Sequence, residues 1–379
     1  MMHSSTPLPS VPGRRCVNNC GKILCVLFLL GCLLFAPNGI SAEGAKQNSA
    51  AAHPAGQAAD VQSADGEAAE SQSAEQQPAE PRFVEPRFVL IPESAKPGEP
   101  VTVGYLDADT SGAQDGGPQK LVAVLVDSRA RPIARAAFFS LPREEGQQKL
   151  MAALLAVPST ALAGASVIRI ESSGGVLGEL NLTIESREFA SETIALNRQN
   201  TELRTVPDPQ KTAESELLWT ILSRTGTEIY ASFPFAPPVT STRRTSRYGD
   251  RRLYQYSDGA TDTTIHAGID FGVPEGTRVL ASARGKVVLA RARIVTGYTV
   301  VLEHLPGLYS LYYHMANIAV SEGSIVETGA FLGQSGSTGL ATGPHLHWEI
   351  RVSGENADPD AFLARVVLDK NEILNKMSK

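Results

Sequence analysis

Five residues in the last third of the sequence are of the types that hold a metal ion or move a proton. The stretch Gly343-Pro344-His345-Leu346-His347-Trp348-Glu349-Ile350 sets two imidazoles two positions apart. On a strand alternate side chains share a face, so His345 and His347 project together while Leu346 and Trp348 face the other way. Two imidazoles on one face build a metal site or its surroundings, although two surface histidines would show the same spacing. In Ile265-His266-Ala267-Gly268-Ile269-Asp270-Phe271-Gly272 an imidazole and a carboxylate are separated by three residues. Both suit a divalent zinc ion, with Gly268 letting the backbone bend between them. With His347 they supply three protein ligands and leave a fourth position for water, as in catalytic rather than structural zinc sites. Tyr312-Tyr313-His314-Met315, which reads as a strand, adds with His345 two imidazoles that do not ligate. Zinc lowers the pKa of its water and polarises a substrate carbonyl. One imidazole then takes the nucleophile's proton, and a second stabilises the oxyanion or protonates the leaving group.

The choice of ligands is narrowed far from these motifs. All four cysteines (Cys16, Cys20, Cys25, Cys32) lie near the N-terminus. There Arg14, Arg15 and Lys22 precede the apolar run Ile23 to Ala36, and a small-residue exit follows at Ser41-Ala42. This pattern reads as a secretory signal over 1–42, too short in its apolar part to span a bilayer comfortably. Leu29-Leu30-Gly31-Cys32 offers lipidation as an alternative to cleavage. A chain starting after Ala42 has no thiol, so any metal is held by histidine and carboxylate. Its formal charge moves from −6 to −9, which argues against nucleic acid as a partner because phosphate binding needs a basic surface. Contact with a membrane is then expected only through the signal or an N-terminal anchor.

The 379 residues are too many for one ordinary domain. From Glu43 to about Pro81 the chain is rich in Ala, Gln, Ser, Glu and Pro, with seven acidic residues against one Lys46. Such a segment lacks the apolar surface to offset ordering entropy, so 43–82 reads as a disordered linker. Over 83–187 short β-type runs alternate with Gly, Pro, Asp and Ser clusters. They are Arg87-Ile91, Val101-Tyr105, Leu121-Val126, Ile133-Phe139, Ala165-Glu171 and Glu179-Glu185. That spacing predicts an antiparallel, immunoglobulin-like β-sandwich with no catalytic constellation, a spacer or docking module. A helical connector is expected over 188–232, with Asp208 as cap, Pro209 in the first turn and Gly226 past the end. Leu217 with Ile221 and Leu218 with Leu222 lie at i,i+4 spacing, and Trp219 widens the apolar surface this helix would pack on a neighbouring domain. Residues 233–366 are Gly-rich, β-patterned and hold five of the seven histidines, leaving 367–379 as a tail. The fold class is therefore mainly β.

The three motifs, in order, resemble the lysostaphin/LytM-type (β-lytic) zinc endopeptidases, whose pattern is His-x-x-x-Asp, Tyr-x-His and His-x-His. Ser246-Arg247-Tyr248-Gly249-Asp250-Arg251 is similar to the stretch that opens the family domain. Pro274 to Val279, Gly285 to Val288, and Gly333 to Gly339 running into Pro344 are similar to its later strands and Gly-rich turn. The resemblance covers nearly all of 233–363. It implies zinc (Zn2+) ligands His266, Asp270 and His347, catalytic imidazoles His314 and His345, an antiparallel β groove, and peptidoglycan cross-links or stem peptides as substrate. With the export signal it implies a periplasmic or envelope location. Phe189 to Ile194, Ser215-Glu216 and Phe233 resemble a connector that joins β-sandwich domains to this peptidase in some bacterial envelope proteins.

Other readings stay beside this one. A non-catalytic regulator of cell-wall hydrolases is the class rival, although no ligand or catalytic position departs from the family pattern. A secreted general metalloprotease acting on Gly-rich proteins is a third. Tyr248 and Tyr312 are candidates for lining the substrate groove, or else core aromatics. The run Arg243, Arg244, Arg247, Arg251, Arg252 grips a carboxylate or phosphate, or is a solvated loop. His304, near a turn, reads as a surface or structural residue.

Overall fold

A computed structural model describes residues 87–106, 120–144, 147–231 and 234–379 of the chain. The expected export signal with Cys32, the linker over 43–82 and Phe233 lie outside these residues. The described chain is mainly β, as composition and turn spacing predict. No helix among the described residues is long and apolar enough to cross a membrane.

The first nine strands are β1 (Arg87–Ile91), β2 (Ser94–Ala95), β3 (Pro100–Leu106), β4 (Val122–Val126), β5 (Pro132–Ala137), β6 (Phe139–Ser140), β7 (Leu150–Ala156), β8 (Gly164–Ser172) and β9 (Gly175–Ile184). They form two sheets, ordered β1-β3-β7-β6 and β2-β9-β8-β4-β5. All pairings are antiparallel except the short β2–β9 pair. Six of these strands follow the predicted runs; the two-residue β2 and β6 do not, and β7 is the one long strand the sequence hides. Leu150-Met151-Ala152-Ala153-Leu154-Leu155-Ala156 shows no polar alternation because both faces are buried. Met151, Ala153 and Leu155 enter the core between the two sheets. Leu150, Ala152, Leu154 and Ala156 face the opposite way, into the core of the following domain.

The connector holds strand β10 (Ser191–Ala195) and helices α1 (Arg198–Thr205) and α2 (Pro209–Leu222). Asp208 caps α2 by accepting from the Gln210 amide, with Pro209 in the first turn. The helix packs on the next domain, but with a narrower face than expected. Leu218, Ile221 and Leu222 meet Leu289, Val301, Tyr309, Leu311 and Tyr313, whereas Trp219 is 53% exposed and Leu217 lies on the outside with it.

The remaining strands are β11 (Arg244–Ser246), β12 (Arg251–Gln255), β13 (Thr261–Ile265), β14 (Gly268–Phe271), β15 (Arg278–Leu280), β16 (Gly285–Arg293), β17 (Gly297–Leu305), β18 (Leu308–Ile318), β19 (Ile325–Val326), β20 (Phe331–Ser335), β21 (Leu346–Val352) and β22 (Glu355–Ala357). A large sheet runs β11-β14-β21-β18-β17-β16-β19, with β15, β20 and β22 paired to its side. A small sheet, β10-β12-β13, takes its edge strand from the connector, and β10 pairs parallel with β12. The core lies on the face of the large sheet that carries Phe271, Trp348, Ile350, Tyr312 and Met315.

Residues 367–379, expected as a tail, instead carry α4 (Lys370–Met377), which follows the short α3 (Pro359–Ala364). Ile373 is fully buried and Met377 nearly so, in the same core as Val89 of β1. Thr102 Oγ1 donates to the Val367 carbonyl at 2.5 Å. The described residues from Arg87 to Lys379 accordingly belong to one compact unit.

Candidate active site

The site is assembled by three neighbouring strands. In register, Asp270 of β14 lies opposite His347 of β21, and His347 opposite Tyr313 of β18. His347 follows the alternation expected of it, since Leu346, Trp348 and Ile350 go to the core and are fully buried. His266 stands just before β14, tied by its amide to the Asp250 carbonyl, while the Gly249 amide donates to the His266 carbonyl. Gly268 serves close approach rather than a bend: a β-carbon there would meet the Trp348 carbonyl oxygen at 2.2 Å. His345 precedes β21 and is held by a bridge to Gly336.

His314 reaches the site through an irregularity in β18. On that strand Leu308 and Tyr312 point to the core, so an unbroken alternation would send His314 there too. Pairing with β17 instead shifts by one residue between Tyr298↔Met315 and Val300↔Tyr312. The extra residue restores Met315 to the core, and His314 takes a left-handed φ of 60°. A bulge of this kind re-aims a side chain beside a functional site.

Three donor atoms converge. His266 Nε2 lies 3.2 Å from Asp270 Oδ1 and 3.0 Å from His347 Nδ1, and His347 Nδ1 lies 2.9 Å from Asp270 Oδ1. Tetrahedral coordination with bonds near 2.0–2.1 Å sets neighbouring donors about 3.3 Å apart, so the triangle is slightly tighter than, but close to, the size of a tetrahedral metal site. The proton inventory agrees. His266 Nδ1 donates to the Arg247 carbonyl at 2.8 Å, and His347 Nε2 donates to Glu349 Oε2 at 3.4 Å. In the neutral rings the facing atoms, Nε2 and Nδ1, therefore carry lone pairs, and at 3.0 Å they suit a cation, a metal ion or a proton, between them. The electrostatics carry the same demand. Burial pushes His347 down, but the carboxylates of Asp270 and Glu349 outweigh it and raise it to about 9. Burial likewise opposes the charge of Asp270, yet His266 and His347 hold it well below the usual carboxylate range.

The other two imidazoles are fixed in the same manner. His314 Nδ1 donates to the Thr338 carbonyl and His345 Nδ1 to the Gly343 carbonyl, each at 2.8 Å. In the neutral tautomer this fixes, each ring has its free nitrogen at Nε2, and the ring centroids are 4.7 Å apart. His345 Nε2 is 3.8 Å from Asp270 Oδ1. Burial first, then the neighbouring His345 and His347, push His314 down to about 3, so its ring is neutral at ordinary pH.

Not every expected residue is here. Tyr248 is 2% exposed, with its hydroxyl on the Asn356 carbonyl at 3.0 Å. Tyr312 is fully buried, bonded to the Ser282 amide and Ser310. Both are core aromatics and line no groove. His304 is structural and wholly interior, between the Arg284 carbonyl and Ser310. The arginine run is neither a loop patch nor one site: Arg244 pairs with Asp360, Arg251 bonds the Ser159 carbonyl, and Arg252 reaches Asp270 Oδ2 at 2.6 Å. Arg252, which sequence offers only as one of that run, and Glu349, which it does not single out, support Asp270 and His347 from behind. Glu349 was accessible to the period-two rule, being two residues from His347 on the same face.

Residues 264–359 match the sequence family described as Peptidase family M23. Over 122 residues the chain is 36% identical to the DD-carboxypeptidase/endopeptidase Mpg of Neisseria meningitidis, covering 32% of this chain and 27% of that one. Over 131 residues it is 35% identical to the peptidoglycan DD-endopeptidase ShyA of Vibrio cholerae, covering 35% and 30%. The chain thus spans less than a third of the length of these curated relatives. A solved Pseudomonas aeruginosa structure described as a peptidase M23 covers 70% of this chain and 93% of its own, at 23% identity and a TM-score of 0.47. The segment that carries the site thus matches peptidase family M23, the metallopeptidase class to which the lysostaphin/LytM resemblance points.

Proposed function

We propose that the chain is a zinc-dependent endopeptidase that hydrolyses peptide bonds in peptidoglycan cross-links or stem peptides of the bacterial envelope. The observation that carries this reading is the triangle of His266 Nε2, Asp270 Oδ1 and His347 Nδ1, with edges of 2.9–3.2 Å and both ring nitrogens presented as lone pairs. The donor set fits zinc, which takes imidazole nitrogen and carboxylate oxygen and in catalytic sites uses three protein ligands. Zinc bound there supplies a Lewis acid that activates water and polarises the scissile carbonyl. The chain's own part is proton transfer and orientation. In their neutral forms His314 and His345 present Nε2 as the free nitrogen, and one of them accepts the proton of the attacking water, which then passes to the leaving amine. The Thr338 and Gly343 carbonyls keep those rings in the required tautomer. Peptidoglycan as substrate is supported by the names of the relatives, three of which are described as DD-endopeptidases of peptidoglycan.

The test is digestion of purified sacculi by the purified protein, with mass spectrometry of the soluble fragments and an elastin-like protein as control. We expect new peptide termini from the cell wall alone, abolished by a chelator and restored by zinc. No fragments with any divalent metal would overturn the enzymatic reading, and cleavage of elastin alone would overturn the substrate.

A further inference from the structure

We propose that Glu192, on connector strand β10 and outside the segment matching the family, is a positioning residue for His266 and Asp270, so that docking of β10 completes the metal site. The inference rests on the metallopeptidase reading above. Parallel pairing of β10 with β12 sets Glu192 opposite Arg252. Glu192 Oε1 accepts from Arg252 Nε at 2.5 Å and from Ser246 Oγ at 2.9 Å. Arg252 uses its other edge on Asp270 Oδ2 at 2.6 Å, and Ser246 Oγ lies 3.2 Å from His266 Nδ1. One carboxylate oxygen therefore restrains the groups behind two of the three metal-facing residues.

The chemistry follows from what Arg252 does with a charge on each side. Its side chain is only 13% exposed, so solvent screens it weakly. With Glu192 present, the guanidinium is shared between two carboxylates and its plane is fixed. Without that partner it turns wholly to Asp270, draws electron density from the ligand and loses its fixed orientation. Both effects weaken the hold on a cation, as removal of an outer partner does at other metal sites. A second tie reaches the opposite wall of the site: Asn200 of α1 donates to the Ala341 carbonyl at 3.0 Å, in the turn that leads to His345. Neither contact is available to the matched segment by itself.

The experiment measures the zinc dissociation constant of the full chain by chelator competition, together with the melting temperature of the chelated protein. Glu192→Gln should weaken zinc by about tenfold or more, Glu192→Asp should recover part of the loss, and Glu202→Gln on exposed α1 should stay within about twofold of the unaltered chain. A lower melting temperature for Glu192→Gln with an unchanged zinc constant would show a merely structural contact and overturn the proposal. If Glu192→Gln does not fold, Glu192→Asp decides: a folded protein with the unaltered constant is equally fatal. Failure of the unaltered chain to bind zinc would overturn the functional reading instead.

Discussion

At the scale of single residues, the four imidazoles of the site obey one rule. Each has one nitrogen fixed by a carbonyl or carboxylate behind it, and so in its neutral form offers the other as a lone pair. The division of labour lies in what the free nitrogen faces. His266 and His347 face Asp270 within 3.2 Å, whereas His345 stands off at 3.8 Å. His345→Ala should therefore keep its zinc, measured by elemental analysis, and lose roughly 10²–10⁴ of its turnover. His347→Ala and Asp270→Ala should purify without metal. If His345→Ala purified metal-free while His347→Ala kept zinc, the roles would be exchanged. Glu349, buried and paired with Arg351, holds His347 by Nε2. Glu349→Gln should cost about 10–100-fold in zinc affinity with the proton acceptors left in place.

At the scale of elements, the bulge in β18 and the turn before β17 matter most. His314 depends on the Thr338 carbonyl, and Thr338 rests against Gly297, which has φ +64°. A β-carbon at Gly297 would come within 2.1 Å of Thr338 Oγ1 and 2.5 Å of its carbonyl oxygen. Gly297→Ala should thus lower stability by about 1–3 kcal/mol, from strained backbone alone, and also turnover, because the anchor of His314 moves. Thermal unfolding and initial rates check both parts. A loss of stability with full turnover would separate the turn from the site. The α2 helix offers the contrast: its C-terminal half packs beside the site, on Tyr313, which stacks on His347, while its cap stands at the other end of the helix. Asp208→Ala should cost about 1 kcal/mol of stability through the lost cap and leave turnover unchanged.

At the scale of the whole molecule, sandwich and peptidase domain share a core and should unfold together. Ile373 sits against Val89 of β1 and Gly104 of β3, both in the sandwich. Ile373→Ala should cost about 2–5 kcal/mol in urea unfolding and keep a single transition. Two separated transitions would show that the domains are independent. Acid sensitivity has an identifiable source in His304, which burial pushes down to about 4. A depressed folded value means the stabilisation is present above the unfolded value and is lost as pH falls. The loss should begin near pH 6.5 and reach about 2 kcal/mol by pH 5 from this residue. In His304→Gln that portion of the pH slope should disappear.

The sequence by itself determined the three residues that the fold brings together as a possible metal site, the mainly β class, six sandwich strands and the start of α2. These are local matters of residue type, alternation and capping, and they need no knowledge of what lies across the fold. What the tertiary structure decided is everything that depends on neighbours distant along the chain. The apolar run of β7 has no alternation because a second core covers its outer face, and residues 370–377 are a helix because that same core receives them. Tyr248 and Tyr312, aromatics that a sequence leaves free to line a groove, are in the interior. Only the pairing of β10, β12 and β14 with their neighbours brings Glu192, Arg252 and Asp270 together. Such a chain of contacts joins positions 60 and 18 residues apart, a separation that no local spacing rule can anticipate.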